Sequence, residues 1–305
     1  MDAVGRRLAD RLGAQVEFDA PSAPLTTYRC GGRVAVLVRA NSEDDVLALA
    51  ESIDGDVPVV VIGRGSNLLV ADSGFAGVAI VLGGELDGVE IDTDTSVVVA
   101  GGATPLPVLA RRSAAAGVTG LEFFVGIPGS VGGAVRMNAG GHGSETADVL
   151  VRARVLSLAD GAARDVDTKA LDLGYRASAV DPRSVVVGAV FQGRAGLVAD
   201  CEARVDEIVR WRREHQPGGQ NAGSVFTNPP GDAAGRLIEA AGCKGLRVGA
   251  VVVSPKHANF FVAEPGARAG DVVALIREVQ QRVEMNTGIH LEPELHLVGF
   301  APQDQ

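Results

Sequence analysis

Two glycine-rich loops, each placed directly after an apolar run, constrain the fold of this chain more than any other feature. The first is Gly63-Arg64-Gly65-Ser66-Asn67, which follows the apolar run Val59–Ile62, and the second stretches from Gly126 to Gly143. The chain holds 40 glycines in 305 residues, and glycines gathered in short loops indicate backbone that approaches a ligand closely. Consecutive N–H groups without side-chain obstruction are the arrangement that binds a phosphate or diphosphate.

The first loop alone leaves two interpretations open, a nucleotide site and a plain hairpin turn. It is not a P-loop, because no Gly-Lys-Ser/Thr follows, and it lacks the third glycine of a Rossmann fingerprint. Leu68-Leu69-Val70 predicts a short extended segment rather than a helix. The first part of the second loop, Gly126–Ala134, favours a nucleotide site, because two glycine loops can hold one diphosphate from both sides.

Composition and charge exclude several classes of protein. The net charge of −10 and the lack of a basic patch argue against a nucleic-acid partner. The longest apolar runs are far shorter than the roughly 20 residues of a membrane-spanning helix, and no apolar region follows the N-terminal charges, so we expect a cytoplasmic protein without a membrane partner. Cys30, Cys201 and Cys243 are far apart and form no CxxC pair, so neither a disulfide framework nor a metal site is expected.

Helix signals divide the chain into recognisable segments. A cap at Ser42–Asp45 opens an amphipathic helix that reaches Ile53, and Thr104 is predicted to cap a second helix that has Pro105 as its first residue and ends before Gly117. Three more helices are predicted at Val198–His215, Asp232–Ala241 and Asp271–Thr287. A composition break near residue 197 suggests a domain boundary there.

Strand signals lie between these helices. Val59–Ile62 fits a strand buried on both faces, and further strands are predicted at Leu150–Leu158 and Val185–Phe191. Ile289–Val298 alternates apolar and polar residues, which places Glu292, Glu294 and His296 on one face of a strand. Pro293 predicts that this strand lies at a sheet edge.

Seven motifs occur in order between Thr26 and Gly299. They are Gly63-x-Gly-Ser-Asn-Leu-Leu-Val70, Gly126-Ile-Pro-Gly-Ser-Val-Gly-Gly-Ala134, Met137-Asn-Ala-Gly140, Gly174-Tyr-Arg-x-Ser178, Gly223-Ser-Val-Phe-x-Asn-Pro229, Lys256-His-Ala-Asn-Phe260 and Leu291-Glu-Pro-Glu294. In these motifs the sequence resembles the UDP-N-acetylenolpyruvoylglucosamine reductases, flavoenzymes of bacterial peptidoglycan-precursor synthesis. Composition and periodicity alone would not identify this function.

The resemblance implies an α+β chain: a two-subdomain FAD-binding fold of the vanillyl-alcohol oxidase type with a C-terminal α+β substrate-binding domain. The expected domains are residues 1–82, 83–196 and 197–305. The resemblance further implies non-covalent FAD, NADPH as the hydride-donating co-substrate, and a UDP-sugar enolpyruvyl ether as substrate. A monomer is expected.

The resemblance also assigns three catalytic residues. Arg176 matches the arginine that pairs with the substrate carboxylate, Ser224 matches the proton donor to C2 of the enolpyruvyl group, and Glu294 matches the residue that helps Arg176 to stabilise the intermediate. Without the motifs, each would be interpreted as a surface or turn residue. Spacing alone does not choose between Glu294 and Glu292, and the motif selects the residue after Pro293.

Binding residues follow from the same motifs. The expected cofactor-binding residues are Gly63, Arg64, Gly65, Ser66, Asn67, Leu68, Gly126, Ile127, Pro128, Gly129, Ser130, Gly132, Gly133 and Asn138. The expected substrate-binding residues are Tyr175, Asn228, Lys244, Lys256 and His257. The two lysines are chosen because cations suit a diphosphate sugar and only three lysines exist in the chain.

The chain departs from the family pattern at three places. Thr227 stands where many members have Lys, and His296 stands where many have Arg, so two permanent positive charges are missing. The segment Met137–Gly143 lacks an inserted Tyr-bearing loop, which places the chain in the shorter subclass. Two other functions stay open: another FAD oxidoreductase on the same fold, such as an alcohol or sugar-acid oxidase, and a catalytically silent nucleotide-binding protein. A silent protein would have no use for Arg176, Ser224 and Glu294 together.

Overall fold

A computed structural model describes residues 1–301; residues 302–305 of the expected third domain lie outside the described residues. The helices are α1 (Asp2–Leu12), α2 (Glu43–Ser52), α3 (Leu106–Ala115), α4 (Val131–Met137), α5 (Val198–His215), α6 (Ala234–Ala240) and α7 (Ala269–Thr287). The strands are β1 (Val16–Pro21), β2 (Arg33–Ala40), β3 (Val59–Ile62), β4 (Leu68–Val70), β5 (Phe75–Leu82), β6 (Val89–Asp92), β7 (Val97–Gly101), β8 (Val118–Thr119), β9 (Gly140–Gly141), β10 (Ser144–Glu145), β11 (Leu150–Ser157), β12 (Ala163–Asp167), β13 (Ser184–Gln192), β14 (Arg194–Ala195), β15 (Arg247–Val248), β16 (Val251–Val253), β17 (Phe261–Ala263) and β18 (His296–Val298).

The chain divides into two compact units. Unit 1 comprises Met1–Phe18, Val36–Arg64 and Gly77–Arg212, and unit 2 comprises Asp19–Ala35, Gly65–Ala76 and the chain from Arg213 onward. This division differs from the consecutive domains expected from the sequence, because α5 belongs with unit 1 up to Arg212 and two N-terminal segments belong with unit 2. The composition break near residue 197 therefore marks the loop before α5. The division of the FAD-binding part at residue 82 stays a prediction.

Unit 1 has two apolar cores. The first surrounds α1, α2 and a four-stranded sheet of order β1-β2-β5-β3, with Leu8, Val38 and Leu49 fully buried. The second is formed by an antiparallel five-stranded sheet of order β12-β11-β13-β7-β6. Helices α3, α4 and α5 contribute side chains to the same core. Mixed parallel and antiparallel sheets with helices confirm the α+β class.

Unit 2 is built around a small antiparallel sheet of order β15-β16-β17. Helices α6 and α7 pack into the same apolar core, where the rings of Phe226 and Phe261 meet edge to face at 6.0 Å. Strands β4 and β18 form a separate parallel pair, with His296 opposite Leu68. This pair joins the segment that follows the first glycine loop to the C-terminal segment.

The helix predictions are confirmed in position, with one correction at a cap. The Ser42 hydroxyl accepts the Asp45 N–H at 3.2 Å at the start of α2, α5 spans the predicted Val198–His215, and Gly288 ends α7 with φ +72°. The prediction that Thr104 caps α3 is wrong. Pro105 occupies the N-cap, and the Thr104 hydroxyl donates to the Gly88 carbonyl at 2.9 Å.

The strand predictions are confirmed for β11 and β13 and corrected elsewhere. Val59–Ile62 forms β3, but the prediction of burial on both faces is wrong, because β3 lies at the sheet edge and only Ile62 is fully buried. Of Ile289–Val298, only His296–Val298 forms a strand. Leu291 and Leu295 are nevertheless buried, so the alternation identified the side chains that face the core without producing a continuous ladder. Pro293 makes an isolated bridge with Phe226.

Within residues 1–301, no helix combines the length and apolar character that crossing a membrane requires. The three cysteines are free thiols, and all of them are buried.

Candidate functional site

The first glycine loop follows β3 and has the backbone features of an anion site. Gly65 adopts φ +61°, and a Cβ at this position would run into the Leu25 carbonyl oxygen, so only glycine fits. Within residues 1–301, no protein acceptor receives the backbone N–H of Gly65, Ser66 or Asn67. Three successive open N–H groups favour a bound anion such as a diphosphate.

The same loop is bound to the C-terminal segment of unit 2. The Asn67 side-chain amide donates to the Glu294 carbonyl at 3.1 Å, and the His296 N–H donates to the Asn67 carbonyl at 3.1 Å. Leu68 then begins β4, which confirms the short extended segment predicted after the loop. The backbone of Glu294 is thereby held beside the loop, although Asn67 and Glu294 are 227 positions apart in the sequence.

Ser224 lies on the backbone segment that pairs with the Glu294 segment. The Glu294 N–H donates to the Val225 carbonyl at 2.7 Å, and Ser224 forms an isolated bridge with Phe260. Gly223 precedes Ser224 with φ +75°, a conformation that favours glycine. Both Ser224 and Glu294 are half-buried. Unit 2 therefore brings the loop residues 65–68, Ser224 and Glu294 into one hydrogen-bonded backbone network.

Asn259 makes this network rigid. Its side chain accepts the Phe226 N–H at 2.9 Å and donates to the Phe226 carbonyl at 2.8 Å, and its own carbonyl accepts the Val225 N–H at 2.9 Å. A buried amide with both ends bound fixes the backbone next to Ser224. The Lys256-His-Ala-Asn-Phe260 motif thus has a structural role at Asn259.

The second glycine loop belongs to unit 1. The Leu106 N–H donates to the Gly129 carbonyl at 3.0 Å, and the Val131 N–H donates to the Thr104 carbonyl at 2.9 Å. A Cβ on Gly63 would collide with the Ser130 hydroxyl, so Gly63, at the start of the first loop, lies directly against the second loop. Gly132 serves packing as well, since its Cβ would lie 3.0 Å from the Val186 carbonyl.

Tyr175 and Arg176 form the tip of a tight turn in unit 1. Gly174 and Ala177 exchange backbone hydrogen bonds of 3.0 and 3.2 Å around them, and Arg176 has φ +55°, which is uncommon for a residue with a side chain. The Arg176 guanidinium lies 5.1 Å from the Tyr175 ring centroid and donates to the Gly140 carbonyl at 3.3 Å. The turn therefore presents an exposed phenol and a positioned guanidinium.

Asn138 anchors this turn. Its amide donates to the Gly174 carbonyl at 2.9 Å and accepts the Ala147 N–H at 2.9 Å, and the residue is fully buried. Asn138 also ends α4 with φ +39°, a conformation that asparagine tolerates better than most residues. The structure therefore gives Asn138 a positioning role, and its contact with the cofactor stays a prediction.

Replacing Asn138 by alanine is expected to lower the free energy of unfolding by about 3 kcal/mol. Two part-buried hydrogen bonds of ~1 kcal/mol each would be lost, and alanine tolerates the left-handed backbone conformation at position 138 less well than asparagine does. Urea unfolding measures this change. Asn286→Ala, which removes one exposed hydrogen bond to the Ala240 carbonyl, is the matched control, and an equal effect of both variants would contradict the anchoring role.

Four of the five predicted substrate residues lie in unit 2, and the fifth, Tyr175, lies in unit 1. Lys244 pairs with Glu239 at 2.7 Å, and the Lys256 ammonium donates to the Arg213 carbonyl at 2.5 Å. The Asn228 side-chain oxygen accepts the Ala234 N–H at 3.0 Å at the start of α6. Burial lowers the pKa of His257, and the charge of Lys244 lowers it further, so the imidazole is neutral near pH 7.

Two further features were not predicted from the sequence. Thr26 and Tyr28 carry buried hydroxyls without a hydrogen-bond partner within residues 1–301, and nothing in the sequence indicated them. A cavity of about 380 Å³ in unit 1 is lined by Glu122, His142, Arg194, Cys201 and their neighbours, and none of the predicted site residues lines it. Within residues 1–301, no cluster of His, Cys, Asp and Glu is arranged to hold a metal ion.

The open N–H groups of Gly65, Ser66 and Asn67 fit the diphosphate of a dinucleotide cofactor. Residues 34–167, which contain both loops, match the family described as "FAD binding domain". The chain therefore belongs to the class of FAD-binding proteins.

Comparisons with whole proteins give the particular family. Residues 215–298 match the family described as "UDP-N-acetylenolpyruvoylglucosamine reductase, C-terminal domain". The chain is 42% identical over 300 residues to the UDP-N-acetylenolpyruvoylglucosamine reductase of Paramagnetospirillum magneticum, with 98% of this chain and 97% of the relative covered. It is 44% identical over 277 residues to that of Methylorubrum populi, with 90% and 89% covered. The crystal structure of UDP-N-acetylenolpyruvylglucosamine reductase (MurB) from Thermus caldophilus is similar at a TM-score of 0.80 and 36% identity, covering 92% of this chain and 97% of that one. This chain belongs to the UDP-N-acetylenolpyruvoylglucosamine reductase family.

Proposed function

We propose that this chain reduces the enolpyruvyl ether of UDP-N-acetylglucosamine to the lactyl ether that completes UDP-N-acetylmuramate. The observation that carries the proposal is the network in unit 2, where Asn67 binds the Glu294 carbonyl and Glu294 binds the Val225 carbonyl. Its hydrogen bonds join the first glycine loop to the backbone segments that carry Ser224 and Glu294. Bound FAD would supply the redox chemistry, the transfer of a hydride from NADPH to C3 of the vinyl group.

The glycine loops are the proposed holders of FAD. Gly65, Ser66 and Asn67 would offer their open N–H groups to the diphosphate, and the lack of a Cβ at Gly63 lets the loops lie against each other. The remaining proposed FAD ligands lie in these loops or directly after them: Arg64, Leu68, Gly126, Ile127, Pro128, Gly129, Ser130, Gly132, Gly133 and Asn138. All of these contacts would be non-covalent.

Ser224 is the proposed donor of a proton to C2 of the vinyl group. Hydride addition at C3 leaves negative charge at C2, which spreads into the adjacent carboxylate and must be quenched. A serine hydroxyl is a weak acid, so its position must be fixed for it to act. The bound Asn259 and the hydrogen bond from Glu294 to Val225 fix the backbone on which Ser224 sits.

Arg176 is the proposed partner of the substrate carboxylate. The planar fork of a guanidinium matches two carboxylate oxygens, and its charge stabilises the electron-rich intermediate. The turn around Arg176 is fixed by its own hydrogen bonds and by Asn138, so little rotational freedom is lost when the substrate binds.

Replacing Arg176 by lysine is expected to slow oxidation of the reduced flavin by the enolpyruvyl substrate by about tenfold to a hundredfold. One ammonium cannot reproduce a bidentate fork, and a charge-assisted hydrogen bond contributes ~1.5–3 kcal/mol. Stopped-flow absorbance of this half-reaction measures the change. Arg152→Lys, on the exposed part of β11, is the control, and an unchanged rate for the Arg176 variant would refute the carboxylate contact.

The other proposed substrate contacts are Tyr175, Asn228, Lys244, Lys256 and His257. Exposed phenol, amide and ammonium groups suit the uridine, sugar and phosphates of the substrate. Thr227 and His296 are proposed to weaken anion contacts that other members make with lysine and arginine.

One experiment separates this proposal from an oxidase on the same fold. Purified protein should show flavin absorbance that NADPH bleaches under anaerobic conditions and that the enolpyruvyl substrate restores. Simple alcohols should leave the oxidised flavin unreduced. A colourless protein that takes up no FAD, or a flavin reduced by alcohols, would overturn the proposal. We further propose that the enzyme acts as a monomer, and that it acts in the cytoplasm, a reducing compartment that suits its three free thiols.

A further inference from the structure

His257 lies in a turn of unit 2 whose backbone is fixed by its neighbours. The Ser254 hydroxyl accepts the His257 N–H at 3.3 Å, and the Phe260 N–H donates to the His257 carbonyl at 3.0 Å. The imidazole packs against the Phe260 ring, with the two ring centroids 4.7 Å apart. On another side it contacts Gly235 of α6, where a Cβ would lie 3.4 Å from the His257 Cε1. The imidazole is therefore held in one position.

One nitrogen of this imidazole is bound within the protein. The Asn259 N–H donates to the His257 Nδ1 at 3.3 Å. A ring nitrogen that accepts a hydrogen bond carries no proton, so the neutral imidazole holds its hydrogen on Nε2. Nδ1 is therefore not available to a ligand, and the substrate contact proposed above for His257 would use Nε2.

The surroundings of His257 keep the imidazole neutral. Burial lowers its pKa, and the positive charge of Lys244, which pairs with Glu239 at 2.7 Å, lowers it further. A second proton on the ring would also set an N–H directly against the Asn259 N–H. The neutral imidazole is thus the form that the hydrogen bond from Asn259 requires.

Asn259 connects the imidazole to the segment of Ser224. The Asn259 carbonyl accepts the Val225 N–H at 2.9 Å. The Asn259 side chain accepts the Phe226 N–H at 2.9 Å and donates to the Phe226 carbonyl at 2.8 Å. Ser224, directly before these two residues, forms a bridge with Phe260. A displacement of Asn259 would therefore move the backbone that carries Ser224.

We propose that His257 is a positioning residue for Ser224: its Nδ1 holds the Asn259 N–H, and Asn259 holds the backbone that carries the proton donor. The inference rests on the proposed role of Ser224 as the donor of a proton to C2. A positioning residue changes the limiting rate at saturating substrate, because a displaced general acid transfers its proton more slowly. A residue that only contacts the substrate changes instead the substrate concentration at which half of that rate is reached.

The first test compares His257→Ala with His257→Asn in the full-length holoenzyme. Asparagine has a side-chain oxygen that can accept the Asn259 N–H, whereas alanine has no acceptor. At saturating enolpyruvyl substrate, we expect His257→Ala to slow oxidation of the reduced flavin about tenfold more than it slows reduction by NADPH. His257→Asn should recover most of this loss. Stopped-flow absorbance at several substrate concentrations separates the limiting rate from the concentration dependence.

His290→Ala is the matched control, because His290 is an exposed histidine of unit 2 whose Nδ1 contacts the Glu284 carboxylate at 3.2 Å. It should leave both half-reactions unchanged, and urea unfolding measures whether each variant is folded. A limiting rate for His257→Asn as low as that of His257→Ala would overturn the proposal, because the lost acceptor would then not be the cause. A change confined to the concentration dependence would also overturn it.

A second test needs no variant. Long-range proton–nitrogen correlation NMR of the parent holoenzyme distinguishes the two neutral tautomers of His257. We expect the Nε2–H tautomer near pH 7, and an Nδ1–H tautomer or a charged ring would refute the hydrogen bond from Asn259.

The same measurements distinguish failure of this inference from failure of the proposed function. If the enolpyruvyl substrate does not oxidise the reduced flavin of the parent protein, the proposed function itself is refuted. If the parent is oxidised normally and His257→Ala keeps the parent's limiting rate, only the role of His257 is refuted.

Discussion

Replacing Ser224 by alanine is expected to leave reduction of the flavin by NADPH nearly unchanged and to slow its oxidation by the enolpyruvyl substrate by about 10² to 10⁴. Loss of a positioned general acid usually has an effect of this size. Reduction of the flavin by NADPH involves no proton transfer to C2 of the enolpyruvyl group. Only the second half-reaction therefore depends on the Ser224 hydroxyl. Anaerobic stopped-flow absorbance measures the two half-reactions separately.

The matched control for this prediction is Ser224→Cys. A thiol of similar size also donates a proton, and it is a stronger acid than a serine hydroxyl. We expect this variant to recover part of the lost rate. Equal slowing of both half-reactions in Ser224→Ala would refute the role as proton donor, because it would indicate general damage to the flavin site.

Replacing Glu294 by alanine is expected to slow the second half-reaction by about 10² to 10³, the usual effect of removing one group that stabilises a developing charge. The backbone of Glu294 is held at its N–H by Val225 and at its carbonyl by Asn67. Such a fixed position is what a group that stabilises an intermediate requires. Stopped-flow oxidation of the NADPH-reduced enzyme measures the rate.

Glu292 is the control for this prediction, because spacing alone left Glu292 and Glu294 as equal candidates for the third catalytic residue. Its carbonyl accepts the Thr227 N–H at 3.0 Å, and the residue is exposed. Glu292→Ala should stay within about twofold of the parent rate, because surface substitutions usually change free energies by ~0.5 kcal/mol or less. A large effect at Glu292 with none at Glu294 would reverse the assignment.

The sequence determined those features that depend on neighbouring residues. The helix α5 spans the predicted Val198–His215, and Gly288 ends α7 where local chemistry predicts. Burial of Leu291 and Leu295 follows from a simple alternation of apolar residues. The seven short motifs identified the family, because each depends only on residues that are close together in the sequence.

The tertiary structure decided what depends on residues far apart in the chain. Alternation left Glu292 and Glu294 equivalent, and it could not show that the Glu294 carbonyl accepts a hydrogen bond from Asn67, which lies 227 positions away. The Asn138 amide donates to the Gly174 carbonyl and accepts the Ala147 N–H, a positioning role that the motif alone did not indicate, and its contact with the cofactor stays a prediction. Thr26 gave no signal, since an unsatisfied hydroxyl is recognised only when its surroundings are known. Local propensity reports on adjacent residues, and the chain must fold before distant donors and acceptors meet.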